Sequence, residues 1–188
     1  MSLKHGLLGL LSCGGPTTGY ELDKFFKHSL AYFWQAKTSH IYRELSAMES
    51  QGWLTSERVF QEEKPNKRVY SLTDAGKAEL LNWLCLPDSS GGVKSAFLMR
   101  IFFSGEVGGS QALKLIHEYR DRCIALLPDI SQVKETITQR EAVYSKHVTY
   151  WKLTALHGEI SLRAGIEWAN MAIEILEENV CQQTVKEE

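Results

Sequence analysis

Apolar side chains recur every three or four positions in three successive stretches of the first fifty residues, the spacing of an α-helix. They are Leu3, Leu7, Leu10 and Leu11, then Leu22, Phe25, Phe26, Leu30 and Phe33, then Ile41, Leu45 and Met48. The run G-P-T-T-G after the first stretch suits a turn, Thr38 or Ser39 can cap the third helix, and Gly52 can end it. Three short helices in this order predict a helix-turn-helix.

The next segment changes from helical to extended patterning. Residues 53–60 and 67–72 flank the polar turn E-E-K-P-N and predict a β-hairpin. Thr73 and Asp74 then open a fourth helix that runs through Leu80, Leu81 and Leu84, because a hydroxyl cap and an early carboxylate both suit a helix N-terminus. The order helix, helix, helix, hairpin, helix predicts a winged helix-turn-helix domain over residues 1–84.

The second half of the chain reads as helical throughout. Residues 85–93 lose periodicity and supply Pro, Ser and Gly, so we expect a linker there and a separate helical domain over residues 94–188. Pro128 is expected to break a helix. Further apolar faces comprise Phe97, Leu98, Ile101 and Phe102, then Ala112, Ile116, Tyr119, Cys123 and Leu126, then Ile130, Ile137, Tyr144 and Trp151. The predicted fold class is mainly α with a small β-hairpin.

The last apolar seam alternates spacings of four and three, which suits packing against another helix. Its members are Leu162, Ile166, Ala169, Ile173, Leu176 and Val180. We expect this seam to form the interface of a homodimer, because it exceeds the apolar surface that one small helical domain need expose.

Composition narrows the class of protein. The 188 residues are 44% hydrophobic and 23% charged, which is typical of a globular chain. The four cysteines form no C-x-x-C pair, so we expect reduced thiols in a cytoplasmic protein rather than disulfides or a zinc site. The apolar runs fall short of the roughly 18 to 20 residues of a membrane span, and the N-terminal run is too short for a signal peptide. We expect no membrane association, metal or cofactor.

Charge alone does not indicate a nucleic-acid partner. The net charge is −2, and residues 1–84 hold 10 Lys and Arg against 9 Asp and Glu. Binding to duplex DNA would therefore depend on a local basic face.

The third helix supplies the first candidate face for DNA. With its apolar residues turned inward, Ser39, His40, Tyr42 and Arg43 point outward near its N-terminus, where a recognition helix contacts base edges. Arg43 can bind guanine, and His40 or Tyr42 can reach a base or a phosphate. The alternative is an ordinary solvated face on which Arg43 pairs with a nearby acid.

The hairpin supplies the second candidate face. Its tip gathers Lys64, Asn66, Lys67 and Arg68 within five residues and can follow a phosphate backbone or enter a minor groove. A charged turn that merely confers solubility is the alternative, since three glutamates lie nearby. Tyr20, at the start of the second helix, lies where backbone N–H groups can hold a phosphate, or it is a core aromatic.

These segments also resemble a known family. G-P-T-T-G-Y-E-L, F-W-Q-A-K-T-S-H-I-Y-R-E-L-S-A-M-E-S-Q-G-W-L and K-P-N-K-R-V-Y-S-L-T-D-A-G-K resemble, in order, the PadR family of bacterial transcription regulators over residues 5–84. The remainder is similar to the long C-terminal domain of its virulence-activator-like branch. The resemblance implies DNA contacts at these positions: Tyr20, Ser39, His40, Tyr42, Arg43, Lys64, Lys67 and Arg68.

The resemblance also implies a homodimer that binds a palindromic operator, more often as a repressor than as an activator. Some members bind aromatic or phenolic ligands near the dimer interface. Aromatic residues in the second half can line a pocket between the domains or simply form a core; they are Phe97, Phe102, Phe103, Trp151 and Trp168.

Two other classes of protein remain open. Six histidines and many carboxylates suit an enzyme, but they form no H-E-x-x-H, G-x-S-x-G or Walker motif. A structural or adaptor coiled-coil protein would account for the C-terminal seam and would leave the basic hairpin tip without a role.

Overall fold

A computed structural model describes residues 3–30, 34–60, 66–87 and 95–187, with side chains described as far as residue 179. The chain divides into two compact units, Met1–Gly91 and Gly92–Glu188. It is mainly helical with one small antiparallel sheet, so the predicted fold class is confirmed. Most of the predicted linker lies outside the described residues, and the predicted domain limits stay a prediction.

The described residues of the first unit form four helices and three strands. In chain order they are α1 (Leu3–Gly14), β1 (Thr17–Thr18), α2 (Gly19–Ser29), α3 (Thr38–Ser50), β2 (Leu54–Val59), β3 (Lys67–Leu72) and α4 (Asp74–Cys85). The core between them consists of buried apolar side chains from every helix and from the hairpin, namely Leu7, Leu8, Leu11, Leu22, Phe26, Ile41, Leu45, Met48, Leu54, Tyr70 and Leu80.

The helix ends in this unit follow local rules of capping. Thr18 and Glu21 form a reciprocal capping box at the start of α2. Gly52, with φ of 74°, follows α3 in a Schellman arrangement: its N–H donates to the Glu49 carbonyl, and the Trp53 N–H donates to the Met48 carbonyl. The Thr73 hydroxyl accepts from the Gly76 N–H at the start of α4, as predicted.

Several details of the first unit differ from the sequence-based expectations. The N-cap of α3 is Lys37, which makes no side-chain cap hydrogen bond, so the predicted capping by Thr38 or Ser39 is wrong. Phe25 is exposed rather than part of the predicted apolar face of α2. Phe33 lies outside the described residues.

The sheet has the strand order β1-β3-β2, so β3 is its central strand. Val69 of β3 pairs with Thr18 on one side and with Glu57 on the other. The two-residue strand β1 lies where the sequence indicated only a turn. Side chains alternate along the hairpin, so Leu54, Ser56 and Arg58 share one face with Arg68 and Tyr70, and Lys67 points to the other.

The second unit consists of α5 (Ala96–Phe102), a 3-10 turn (Ser104–Glu106), and two long helices, α6 (Gly109–Gln139) and α7 (Ser145–Glu187). Helices α6 and α7 pack antiparallel, since Ile116 near the start of α6 meets Ala169 of α7 and Ile137 near its end meets Val148. Pro128 lies inside α6 on an exposed position, so the predicted break is wrong. Packing of buried residues on both sides of the proline keeps the helix continuous.

The predicted dimerisation seam is partly an intrachain seam. Ala169 and Ile173 are buried, and with Leu176 they pack in the cluster around Ile116 of the same chain. Leu162 and Ile166 are half-buried, and the side chain of Val180 lies outside the described part. Among the described residues of α7, the exposed apolar side chains include Leu153, Leu156, Ile160, Met171 and Ile175. Ala169 and Ile173 are therefore corrected to core positions.

Among the described helices none has the length and apolar character needed to cross a bilayer. Within the same residues, no group of three histidine, cysteine, aspartate or glutamate side chains is placed to bind a metal ion.

Candidate nucleic-acid interface

Helix α3 presents one buried and one exposed face, because Ile41, Leu45 and Met48 fill the core. Ser39, His40, Tyr42 and Arg43, the residues predicted to contact DNA, are all exposed. The Arg43 side chain makes one long hydrogen bond, from Nε to the Ser39 carbonyl at 3.4 Å. No acid pairs with it among the described residues, so its guanidinium is available to a partner.

The N-terminal end of α3 is held by a polar network from α2. The Thr38 hydroxyl donates to both carboxylate oxygens of Asp23 at 3.2 Å. Lys27 Nζ donates to Asp23 Oδ2 and to Thr38 Oγ1, each at 2.7 Å. This network fixes the angle between the two helices of the helix-turn-helix through side chains, in place of the absent side-chain cap.

Tyr42 is packed against its own unit on one side and exposed on the other. Its ring packs over Gly19, where an added Cβ would lie 2.8 Å from Tyr42 Cε1, so a larger residue at position 19 would have to displace the ring. The ring is still 42% exposed. Its partial burial, with Asp23 and Tyr70 nearby, raises the pKa of the Tyr42 hydroxyl, which stays protonated and able to donate a hydrogen bond.

The start of α2 carries a hydrogen-bonded carboxylate that was not predicted from the sequence. Tyr20 is 70% exposed, so the alternative that it is a core aromatic is wrong. The Glu21 carboxylate accepts from the Thr17 hydroxyl at 2.8 Å and from the Thr18 N–H and hydroxyl at 3.1 and 2.8 Å. These hydrogen bonds, the Thr17 one foremost, lower the pKa of Glu21. A phosphate at this helix end would meet that carboxylate.

The hairpin separates two adjacent cations. Lys67 is exposed, on the face toward Glu21, whose pKa it helps to lower. Arg68 points to the other face, where its guanidinium donates to Glu49 of α3 and to Ser56 of β2. Asn66 is exposed, and Lys64 lies outside the described residues.

One exposed cation was missed in the sequence. Arg58 lies directly opposite Arg68 in the β2–β3 ladder and forms no ion pair within the described part of the chain. The sequence contains the signal for this position: side chains alternate along a strand, so Arg58 lies on the same face of the hairpin as the apolar Leu54 and as Ser56.

The five aromatic residues considered for a ligand pocket do not form one group. Phe97 packs in an edge contact with Trp168, and both lie against Tyr119 in the core between α6 and α7. Trp151 belongs to a separate cluster. Phe102 and Phe103 are exposed.

The match to known proteins agrees with this architecture. The "Negative transcriptional regulator PadR" of Bacillus subtilis (strain 168) is 35% identical over 132 residues, which are 68% of this chain and 70% of that protein. The chain belongs to the PadR-like family of transcriptional regulators. The model of that family matches residues 7–82, and the model "Virulence activator alpha C-term" matches residues 93–177.

Solved PadR-like proteins share the fold over nearly the whole chain. The structure of Bacillus subtilis PadR in complex with operator DNA has a TM-score of 0.76 at 27% identity and covers 93% of this chain and 98% of that one. The same protein in complex with p-coumaric acid has a TM-score of 0.71 at 27% identity and the same coverage. The Vibrio cholerae virulence activator AphA has a TM-score of 0.73 at 28% identity and covers 94% and 99%.

Proposed function

We propose that this PadR-like regulator binds a specific duplex DNA sequence, with α3 as the recognition helix. The observation that carries the proposal is the exposed face of α3, on which the Arg43 guanidinium has no acidic partner among the described residues. His40 and Ser39 flank Arg43 toward the N-terminus of α3, and Lys67 of the hairpin is exposed to reach a phosphate. A relative solved with operator DNA supports the proposal.

Arg43 and Lys67 are assigned different kinds of contact. Arg43 can donate two parallel hydrogen bonds to guanine, which distinguishes sequences, whereas Lys67 can neutralise a phosphate of any sequence. Tyr42 and Tyr20, which are both exposed, are proposed to add contacts through their hydroxyls. The contributions of Lys64 and Asn66 at the tip of the hairpin stay a prediction.

The experiment is selection of bound fragments from the source genome by the purified full-length chain, followed by affinity measurements on the selected site and on random duplex. Arg43→Ala is expected to cost about 1 to 3 kcal/mol on the selected site and little on random DNA. Lys67→Ala should weaken both and reduce the slope of log affinity against log salt by about one unit.

The outcomes separate the competing classes. No salt-dependent binding of the wild-type chain to any duplex would favour the adaptor alternative. If Arg43→Ala lowers thermal stability and leaves specific binding unchanged, α3 is a structural face and the recognition role is wrong. The relatives are named as regulators, so we infer no catalytic role.

We further propose that the regulator acts as a homodimer on a palindromic site. Helix α7 carries an exposed apolar row that includes Leu153, Leu156 and Ile160, and α5 exposes Leu98 and Phe102. Apolar surface of this extent is typical of a protein interface. A two-fold dimer of recognition helices binds two half-sites related by the same symmetry, which makes the operator palindromic.

Repression, and control by a small aromatic acid, are proposed from the Bacillus subtilis relative. That protein is named a negative regulator, and one of its structures contains p-coumaric acid. Titration of the DNA complex with p-coumaric acid tests the ligand: release of the operator at constant salt supports it, and unchanged affinity argues against this compound as the effector.

A further inference from the structure

Arg68, Glu49 and Ser56 form a closed polar triangle that joins three elements of the winged helix. Arg68 Nη2 donates to Glu49 Oε2 at 2.7 Å, and Arg68 Nε donates to Ser56 Oγ at 2.6 Å. The Ser56 hydroxyl in turn donates to Glu49 Oε1 at 2.6 Å. The Arg68 guanidinium also lies 5.4 Å from the centre of the Tyr70 ring. Both oxygens of Glu49 and two nitrogens of Arg68 are therefore engaged.

Arg68 is partly buried and already paired with an acid, unlike a side chain that is free to bind a phosphate. The side chains of Glu49 and Arg68 are 26% and 44% exposed, so the pair is partly withdrawn from water. The Glu49 carboxylate neutralises Arg68 and would repel a phosphate that approached the same guanidinium. It also relieves the repulsion between Arg68 and Arg58, which face each other across the strands.

The position of the triangle along the hairpin allows it to hold the hairpin against α3. The core contacts of the hairpin end at Leu54 and Tyr70, and beyond Ser56 the side chains of β2 are exposed. The triangle therefore links the hairpin to α3 beyond the last core contacts. The planar guanidinium fixes direction as well as distance, because its N–H groups are set in a rigid fork.

We propose that Arg68 is a positioning residue that acts through Glu49 to set the wing against the recognition helix, so that Lys67 and Arg43 reach the DNA together. The proposal rests on the DNA binding proposed above. It reassigns Arg68 from a phosphate contact, and it gives Glu49 a role in DNA binding although glutamate carries the charge that DNA repels.

The decisive variant is Glu49→Gln, because the two roles predict opposite signs. If Arg68 binds phosphate, the loss of Glu49 removes a negative charge, releases the guanidinium and should strengthen binding. If Arg68 positions the wing, Glu49→Gln should weaken binding to the selected operator by at least about fivefold and random duplex by much less, as expected for a coupled contact pair. Glu49→Asp, which keeps the charge and shortens the reach, should weaken the operator complex in the same way.

A double-mutant cycle with a matched control completes the test. Arg68→Gln should cost at least about fivefold in the wild-type background and little in the Glu49→Gln background. Arg58→Gln removes the same charge from the facing position of the ladder, where no ion pair is described. Its cost should be similar on the selected operator and on random duplex, because no contact with α3 is described for Arg58. Tighter binding by Glu49→Gln, or an equal cost of Arg68→Gln in both backgrounds with a salt slope smaller by about one unit, would overturn the proposal.

Hydrogen exchange of the DNA-free protein separates this proposal from the proposed function. Loss of the triangle should speed exchange of the β2 and β3 amides near Ser56 and Arg68 in Glu49→Gln and in Arg68→Gln, and not in Arg58→Gln. If the wild-type chain binds no duplex, the proposed function fails while this measurement still decides whether the triangle holds the wing. Unchanged exchange in both variants would overturn the positioning role.

Discussion

Gly76 is the position where adding one methyl group should harm the winged helix most clearly. It lies in the first turn of α4, and a Cβ there would overlap the Trp53 carbonyl oxygen and lie 2.9 Å from Leu72 Cδ1. The Trp53 carbonyl cannot retreat freely, because it accepts a hydrogen bond from the Thr73 N–H at 3.1 Å.

The change in the free energy of unfolding expected for Gly76→Ala follows from opposing contributions. Alanine favours a helix over glycine by about 1 kcal/mol. Overpacking against fixed atoms costs about 1 to 3 kcal/mol, and loss of the Thr73 hydrogen bond adds about 1 kcal/mol. We therefore expect Gly76→Ala to lower the free energy of unfolding by about 1 to 3 kcal/mol.

Hydrogen exchange of the α4 amides measures this change within the first unit alone, and urea unfolding followed by circular dichroism gives the global value. Gly9→Ala is the control, since Gly9 lies within α1 and a Cβ there would have no atom within 4 Å outside its own helix and chain neighbours. It should stabilise the fold by about 0.5 to 1 kcal/mol. If Gly76→Ala proves as stable as the wild type, α4 can move away from Trp53 and the close packing described here is not required.

Three further predictions concern helix ends, the proline and the dimer. Thr18→Ala should cost about 1 kcal/mol through loss of the α2 cap. Glu21, its capping-box partner, has a lowered pKa, so its carboxylate stabilises the fold fully above the ordinary carboxyl range, and this stabilisation is lost as the pH falls through the lowered pKa. The loss of stability caused by Thr18→Ala, measured by unfolding, should therefore be smaller in acid. A loss that does not change with pH would contradict the capping box. Pro128→Ala should stabilise α6 by about 1 kcal/mol or more, because it restores a backbone donor at an exposed helical site; an unchanged melting temperature would refute this. Leu156→Asp with Ile160→Asp should give a folded monomer on sedimentation, whereas a persistent dimer would place the interface elsewhere.

The sequence predicted the elements of the first unit well, because their ends carry strong local signals. Gly52 ended α3 as expected, since only a residue that tolerates positive φ fits there. Strand β1 was missed because Thr17 and Thr18 are too short a segment for any periodic pattern. The break at Pro128 was wrongly predicted because packing on both sides of the residue outweighs the missing hydrogen bond.

Periodicity identified the last helix but not which neighbour each of its faces meets. Ala169 and Ile173 fit a seam for a second chain equally well, and only the fold shows that they meet α6 of their own chain. The same limit applies to the wing. Arg68 and Lys67 are adjacent cations at the same hairpin, and nothing in the local sequence shows that Glu49 lies within reach of Arg68 alone.

Because β3 is paired on both sides, its odd-numbered and even-numbered residues are fixed on opposite faces of the sheet and can take different roles. Val69 is locked to Thr18 and to Glu57, so each residue of β3 has its face assigned by whether its number is odd or even. With Val69 fixed, deleting Arg68 would move Lys67 to the position opposite Arg58 and put Asn66 where Lys67 now lies, so the cation on the other face of β3 would be lost. In relatives whose wings differ in length, the change in length should therefore lie outside the paired positions of the ladder. A hairpin transferred to another protein must keep each residue of β3 on its present face, and this matters more than the identity of any single charged residue.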